Sequence, residues 1–321
     1  MMEPAPNPSQ REQWLTRLLY FFHYIGIGSF NMFLPVYYRS IGLSGTQIGL
    51  VNTMAPFVGM FSAVLWGMLR DRFGKMRLIF STAVVGAGLM ALALSTATSF
   101  IWILVAVGGY ALFFSPIISL IDSNTLRMLG SRGERYGRYR VWGTVSFTLA
   151  SLVMGFVYEW SGLHTMFAVF IIVMLVMLGI ALGLPNHPVQ VGGSLRRGMG
   201  EIVRQPAWIA FAVSTFVLWL AANGAISFVS VKIIDMGGAD SLVGLTWTMV
   251  AVLEFPVMLF SATILHRFGS VRLLTISFVG YILRIVLFGL MPRPPGRPGS
   301  TSCTEYRLCR CGLARLPMST R

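Results

Sequence analysis

The 321 residues are 55% apolar and only 11% charged, with a mean hydropathy of +0.72, whereas an ordinary soluble domain carries about 25% charged residues. That balance excludes a soluble fold, and the apolar runs are longer than any soluble helix needs. The net charge of +14 lies in short clusters between these runs, which is the pattern of membrane orientation and not of a nucleic-acid-binding face.

Residues 1–14 form a polar, Pro-rich tail, and the apolar run that follows is too long for the core of a cleavable signal. A membrane span needs about 20 apolar residues, because roughly 30 Å of hydrocarbon is crossed at 1.5 Å per residue. Leu18–Tyr38 and Ser40–Leu69 contain no Asp, Glu, Lys or Arg, and neither does Leu78–Ile121. The last run is long enough for two spans, and the polar STATS at 95–99 divides it. Val141–Tyr158 and Trp160–Leu184 follow, separated near Ser161 and Gly162. After the polar stretch 185–206 come Ala207–Val231, Ser241–Leu265 and Leu273–Met291. The reading is nine spans: a six-helix half over 15–184, a cytoplasmic linker over 185–206, and a partial second half of three helices over 207–291.

Basic residues fix the expected orientation. With the N-terminus in the cytoplasm, the clusters at 70–77, 127–140, 196–204 and 267–272 all lie inside, and Arg39 and Lys232 are the basic residues outside. A multi-pass protein of the inner (plasma) membrane is expected.

A repeat supports the two-half reading. A shift of 195 residues lays IGLVNTM (48–54) on VGLTWTM (243–249), and RFGKMRLIF (72–80) on RFGSVRLLT (267–275). A duplicated six-helix unit follows. The same shift places the end of the second half near residue 378, whereas from Pro292 the chain turns Pro- and Arg-rich and has no apolar run. Residues 292–321 are therefore expected to be a disordered, non-native tail left by a frame slip or truncation. They hold Cys303, Cys309 and Cys311 with no His nearby, a poor metal set.

Between the second and third spans, Gly67–Arg77 reads GMLRDRFGKMR. This resembles the signature loop of the major facilitator superfamily, G-x-x-x-D-R-x-G-R/K-x-R/K. The resemblance implies an all-α membrane fold and a cytoplasmic gate. In it Gly67 allows close helix approach, Gly74 makes a tight turn, and Asp71 makes a charge and helix-dipole contact among Arg72, Lys75 and Arg77. The second copy has His266 at the position of Asp71, so an asymmetric gate is expected.

Ionisable residues within spans are costly and are functional candidates by default. Asp122 lies near the cytoplasmic end of the fourth span and Arg140 at the start of the fifth, so the two are expected to face each other. YGRYRVWGTVSF (136–147) resembles the fifth-helix G-R-x-R-x-x-G motif of lactose-permease-like sugar/proton symporters. That resemblance implies that Arg140 pairs with Asp122 and contacts substrate. Glu254 stands among apolar residues in AVLEFPVMLF, and Arg284 lies mid-span in GYILRIVLFGL. A desolvated carboxyl suits reversible protonation. These two segments resemble the MFS-1-like group, which includes phenylpropionate permease relatives, nucleoside/proton symporters and lactose permease relatives, in which this pair lines the central cavity. His23 shares a helical face with Tyr20, Ile27 and Asn31. That stripe either faces the cavity or bonds a neighbouring helix.

No nucleophile–base set, phosphate loop or metal cluster is visible, so neither an enzyme nor a cofactor is expected. The sequence reads as a proton-linked importer of a sugar, nucleoside or aromatic acid, with solute, proton and lipid bilayer as its partners. A drug-type exporter, and a membrane-inserted remnant that does not transport, are the alternatives.

Overall fold

The computed structural model describes residues 9–130, 136–184 and 205–259, together with scattered positions between 267 and 286. The linker, the ninth span as a unit and the 292–321 tail lie outside the described residues.

Helix α1 (Gln10–Gly26) starts where the Ser9 hydroxyl accepts from the Glu12 N–H. It buries Thr16, Leu19, Tyr20, His23 and Gly26 at helical spacing. The first span is not the continuous helix expected over Leu18–Tyr38. A π-helical turn, Ile27–Asn31, interrupts it before the short α2 (Leu34–Ser40). Gly26, Gly28 and Pro35 weaken the ladder here, and the Tyr158 hydroxyl donates to the Ser29 carbonyl at 2.7 Å.

The next spans follow the sequence closely. Helix α3 (Gly45–Phe73) opens with a capping box of Ser44 and Gln47. Helix α4 (Met76–Ser95) and α5 (Phe100–Leu129) are separated within STATS, where Ser99 caps α5. Helices α6 (Tyr136–Ser161) and α7 (Thr165–Leu182) complete the first half. Five helices, α3 to α7, are long and apolar enough to cross a membrane among the described residues. The second half contributes α8 (Pro206–Asp235) and α9 (Asp240–Leu259).

Within the first half α5 packs on both α3 and α4, α4 packs on α7, and α1 lies along α6. Successive helices run in opposite directions, so the bundle has two ends. The basic end carries the motif loop after α3 and the start of α6. The opposite end carries the turns after α2, α4, α6 and α8.

Candidate functional site

The polar face of α1 packs along α5. The Tyr20 hydroxyl donates to Asp122 Oδ1 at 2.6 Å, His23 stacks on Phe114 with ring centroids 5.0 Å apart, and Asn31 Oδ1 accepts from the Tyr110 hydroxyl at 2.6 Å. Residues 110, 114 and 122 recur on one face of α5, which runs opposite to α1, so the two stripes match rung by rung. His23 is thus buried between helices, 1% exposed. Its Nδ1 has no hydrogen-bond partner among the described residues.

The expected ion pair between Asp122 and Arg140 is not formed. Asp122 Oδ1 accepts a second hydrogen bond from the Tyr136 hydroxyl, at 2.9 Å. Arg140 lies one helical turn beyond Tyr136, with its guanidinium carbon 4.4 Å from the centroid of the Tyr24 ring. Two i, i+4 pairs therefore face each other: Tyr20 and Tyr24 on α1, Tyr136 and Arg140 on α6. Tyr20 meets Tyr136 edge to face at 6.5 Å, and the acid is satisfied on that rung, away from the arginine. Gly143, one turn after Arg140, makes room for the ring. A Cβ there would stand 2.5 Å from Tyr24 Cδ2.

The motif segment ties four helices together, α3 to α5 through Arg70 and α4 to α7 through Arg77. Gly74 ends α3 in the left-handed conformation, φ 64°, which favours glycine. Arg77 donates to the Leu184 carbonyl at 2.9 Å, a cation at the end of α7 where the helix dipole favours it. Arg70 is buried and donates to the Ser123 hydroxyl, beside Asp122. A Cβ at Gly67 meets nothing within 4 Å among the described residues. Lys75 is the N-cap position of α4, and Arg72 lies 5.9 Å from the Phe73 ring. Asp71 and Glu254 are placed on α3 and α9 by their backbones. Their side chains, and the whole of Arg284, lie outside the described residues.

The two halves meet at the opposite end. Helix α9 crosses α6 at Gly155 and Gly244: a Cβ at Gly244 would collide with the Ser151 carbonyl oxygen, and one at Gly155 would stand 3.0 Å from the Asp240 carbonyl. The Ser151 and Thr248 hydroxyls are 3.1 Å apart. Small residues four apart on each helix permit such backbone contact. Trp247 Nε1 donates to the Ser230 hydroxyl, which reaches the Met32 carbonyl at the break in the first span. Arg39 and Asp235 form an ion pair at 3.0 Å. Asp240 lies just outside the apolar run of α9, and burial together with the nearby Glu159 charge raises its pKa above 3.8.

Tyr24 and this inter-half contact were not among the residues singled out from the sequence, and Tyr136 and Gly143 stood there only as part of the fifth-helix motif segment. The one available signal was the small-residue spacing of Ser151 with Gly155 and of Gly244 with Thr248.

Residues 13–296 match the model of the MFS_1 like family. The chain is 29% identical over 264 residues to the maltose permease of Geobacillus stearothermophilus, covering 81% of this chain and 66% of that protein. It is 28% identical over 296 residues to the probable 3-phenylpropionic acid transporter of Escherichia coli (strain K12), covering 87% and 74%. The chain thus spans about two thirds to three quarters of the length of these relatives. Its fold matches the crystal structure of the nucleoside transporter NupG with a TM-score of 0.71 at 19% identity, covering 88% of this chain and 75% of that one.

Proposed function

Because the chain belongs to the MFS_1 like family, we propose that it is a proton-linked secondary transporter. It imports a small solute, a sugar, nucleoside or aromatic acid, by alternating access between its halves. The observation that carries this reading is the contrast along α6. Near one end Gly155 locks against α9, while near the other the half-buried Arg140 rests on Tyr24, one helical turn from Tyr136, which donates to Asp122. That arrangement fits a carrier closed on one side of the membrane with its charged residues toward the other. The excess of basic residues in the loops at the open end supports reading that side as cytoplasmic. Relatives named for a sugar and for an aromatic acid support the breadth of the solute class.

In this reading solute enters at the level of Asp122 and Arg140. Glu254 takes up and releases the coupling proton with Arg284 as its partner, and the Gly67–Arg77 loop gates the cytoplasmic side, Asp71 making its central contact.

Proteoliposomes with an inward proton gradient test it, using sugars, nucleosides and aromatic acids in turn. Saturable, gradient-dependent uptake of one class is expected, and Glu254→Gln abolishes accumulation while leaving exchange, since the amide cannot release a proton. Absence of saturable uptake for every solute would overturn the proposal.

A further inference from the structure

Aromatic rings surround Arg17 at the basic end of the seam between α1 and α6. Its guanidinium carbon lies 4.9 Å from the centroid of Trp14 on its own helix and 5.4 Å from that of Tyr139 on α6. Trp142 completes the cluster, meeting Trp14 at 6.3 Å and Phe21 at 6.4 Å, both edge to face. The Tyr139 hydroxyl donates to Gln13 Oε1 at 3.2 Å, which fixes that ring against α1. The rings offer the cation their π faces and no acceptor for the N–H groups in its plane. Among the described residues Arg17 makes no hydrogen bond or ion pair.

The level of the cluster says what it faces. Trp14, Tyr139 and Trp142 lie within the first two turns of α1 and α6, where spanning helices carry Trp and Tyr against the headgroups. Trp14 is 52% exposed and Trp142 36%, so the cluster is open on its outer side. Deeper along α6, Thr248 and Asp240 of α9 cover Thr148 and Gly155. Val145, Leu149, Val153 and Phe156 lie on another face and are exposed, as a stripe at helical spacing. From Trp142 to Phe156 this stripe runs about 21 Å, longer than one leaflet's share of a roughly 30 Å hydrocarbon core. An acyl chain laid on it brings its phosphate to the level of Arg17. A second copy docked two-fold on the same face would instead bring two Arg17 guanidiniums together with no anion between them.

We propose that Arg17, caged by Trp14, Tyr139 and Trp142, binds the phosphate of an anionic phospholipid whose acyl chain lies along the exposed stripe of α6. The guanidinium supplies in-plane donors to the phosphate oxygens, and the two indoles seat the glycerol backbone. Arg11 and Arg138, exposed on the same ends of α1 and α6, favour a lipid of net negative charge. The bound lipid clamps α1 to α6 two turns from the Tyr24–Arg140 contact and steadies that seam. The site is separate from the solute path.

Native mass spectrometry of the full chain in detergent, titrated with phosphatidylglycerol or phosphatidylcholine, tests this. One phosphatidylglycerol is expected to be retained in preference to phosphatidylcholine. Arg17→Gln lowers that retention about fivefold, the worth of one basic residue near an anionic surface. Arg39→Gln, which removes a charge at the opposite end, leaves it unchanged. Tyr139→Phe keeps the ring and the lipid, while Trp142→Leu loses the lipid severalfold. Phosphatidylglycerol should also raise the thermal unfolding midpoint of the unaltered chain and not that of Arg17→Gln. If Arg17→Gln does not fold, the comparison of the two lipids and competition by glycerol 3-phosphate decide the matter. Equal retention of both lipids, retention unaffected by Arg17→Gln, or displacement of the lipid by glycerol 3-phosphate would overturn the inference. So would a lipid-free dimer that Trp142→Leu dissociates.

Discussion

Two of the glycines of helix α6, Gly143 and Gly155, lie twelve positions apart and so about 18 Å apart along the axis, and they do opposite things. Gly143 opens a bed for a ring of the same half, Tyr24, and thereby places a cation. Gly155 lets a helix of the other half approach until backbones touch. The first contact is between α1 and α6, which stay together in any rigid-half motion, whereas the second must come apart if the halves rock. Loss of a side chain thus serves positioning at one end and reversible closure at the other.

The largest expected effect is at the closing end. Gly244→Ile forces a branched side chain into the Ser151 carbonyl, an overpacking that costs about 1–3 kcal/mol where the backbone cannot yield. Uptake is expected to fall to background while the purified protein remains folded. Unimpaired uptake would mean that α6 and α9 need not close this tightly.

At the other end the charge of the solute, an aromatic acid or a neutral sugar, sharpens the comparison. One proton carried with one monoanion moves no net charge, whereas one proton with a neutral sugar does. Uptake of the acid is therefore expected to respond to a pH gradient but hardly to a membrane potential imposed by a potassium diffusion gradient. A strong response to potential would contradict a one-to-one acid symport. Asp122→Asn is milder. Both tyrosine hydroxyls can still donate to the amide oxygen, so about 1 kcal/mol of stability is lost, read as a shift in thermal unfolding.

Smaller effects belong to the exposed rim of the closed end. Arg39 and Asp235 are 45% and 43% exposed, and such pairs contribute about 0–1 kcal/mol. Arg39→Gln is expected to change uptake at most severalfold, and less at high salt. Asp240 adds a weak pH dependence. Its pKa in the closed contact is raised, so the acid form is favoured there. The contribution to closure is fully present below the ordinary value of 3.8 and is lost as pH rises through the raised value. Spin-label distances across α6 and α9 should shorten slightly as external pH falls through this range, and Asp240→Asn should remove the response.

How much of this was legible in the sequence depends on what each residue answers to. The spans were legible because hydrocarbon thickness dictates apolar length, and the STATS break was legible because Ser99 is a helix cap. The break in the first span was not, since an apolar run containing two glycines reads the same whether or not Tyr158 supplies a hydroxyl to Ser29. Asp122 and Arg140 stood out because charge inside a span is rare. Their expected pairing failed because Tyr20 and Tyr136, unremarkable in an aromatic-rich chain, satisfy the acid instead. The two-half architecture was visible in the 195-residue shift, which pairs Gly49 with Gly244. Only the three-dimensional packing shows that Gly244 meets α6 backbone.

The most direct test of the account places a cysteine at Gly137, which is exposed and whose added Cβ meets nothing within 4 Å, in a chain with Cys303, Cys309 and Cys311 changed to serine. It lies one turn below Arg140, at the basic end. A membrane-impermeant thiol reagent should label it in inside-out vesicles and not in right-side-out ones, and the solute that is taken up should slow that labelling. Labelling from the external side, or a rate indifferent to that solute, would contradict a carrier closed outside and admitting its solute at the level of Asp122 and Arg140.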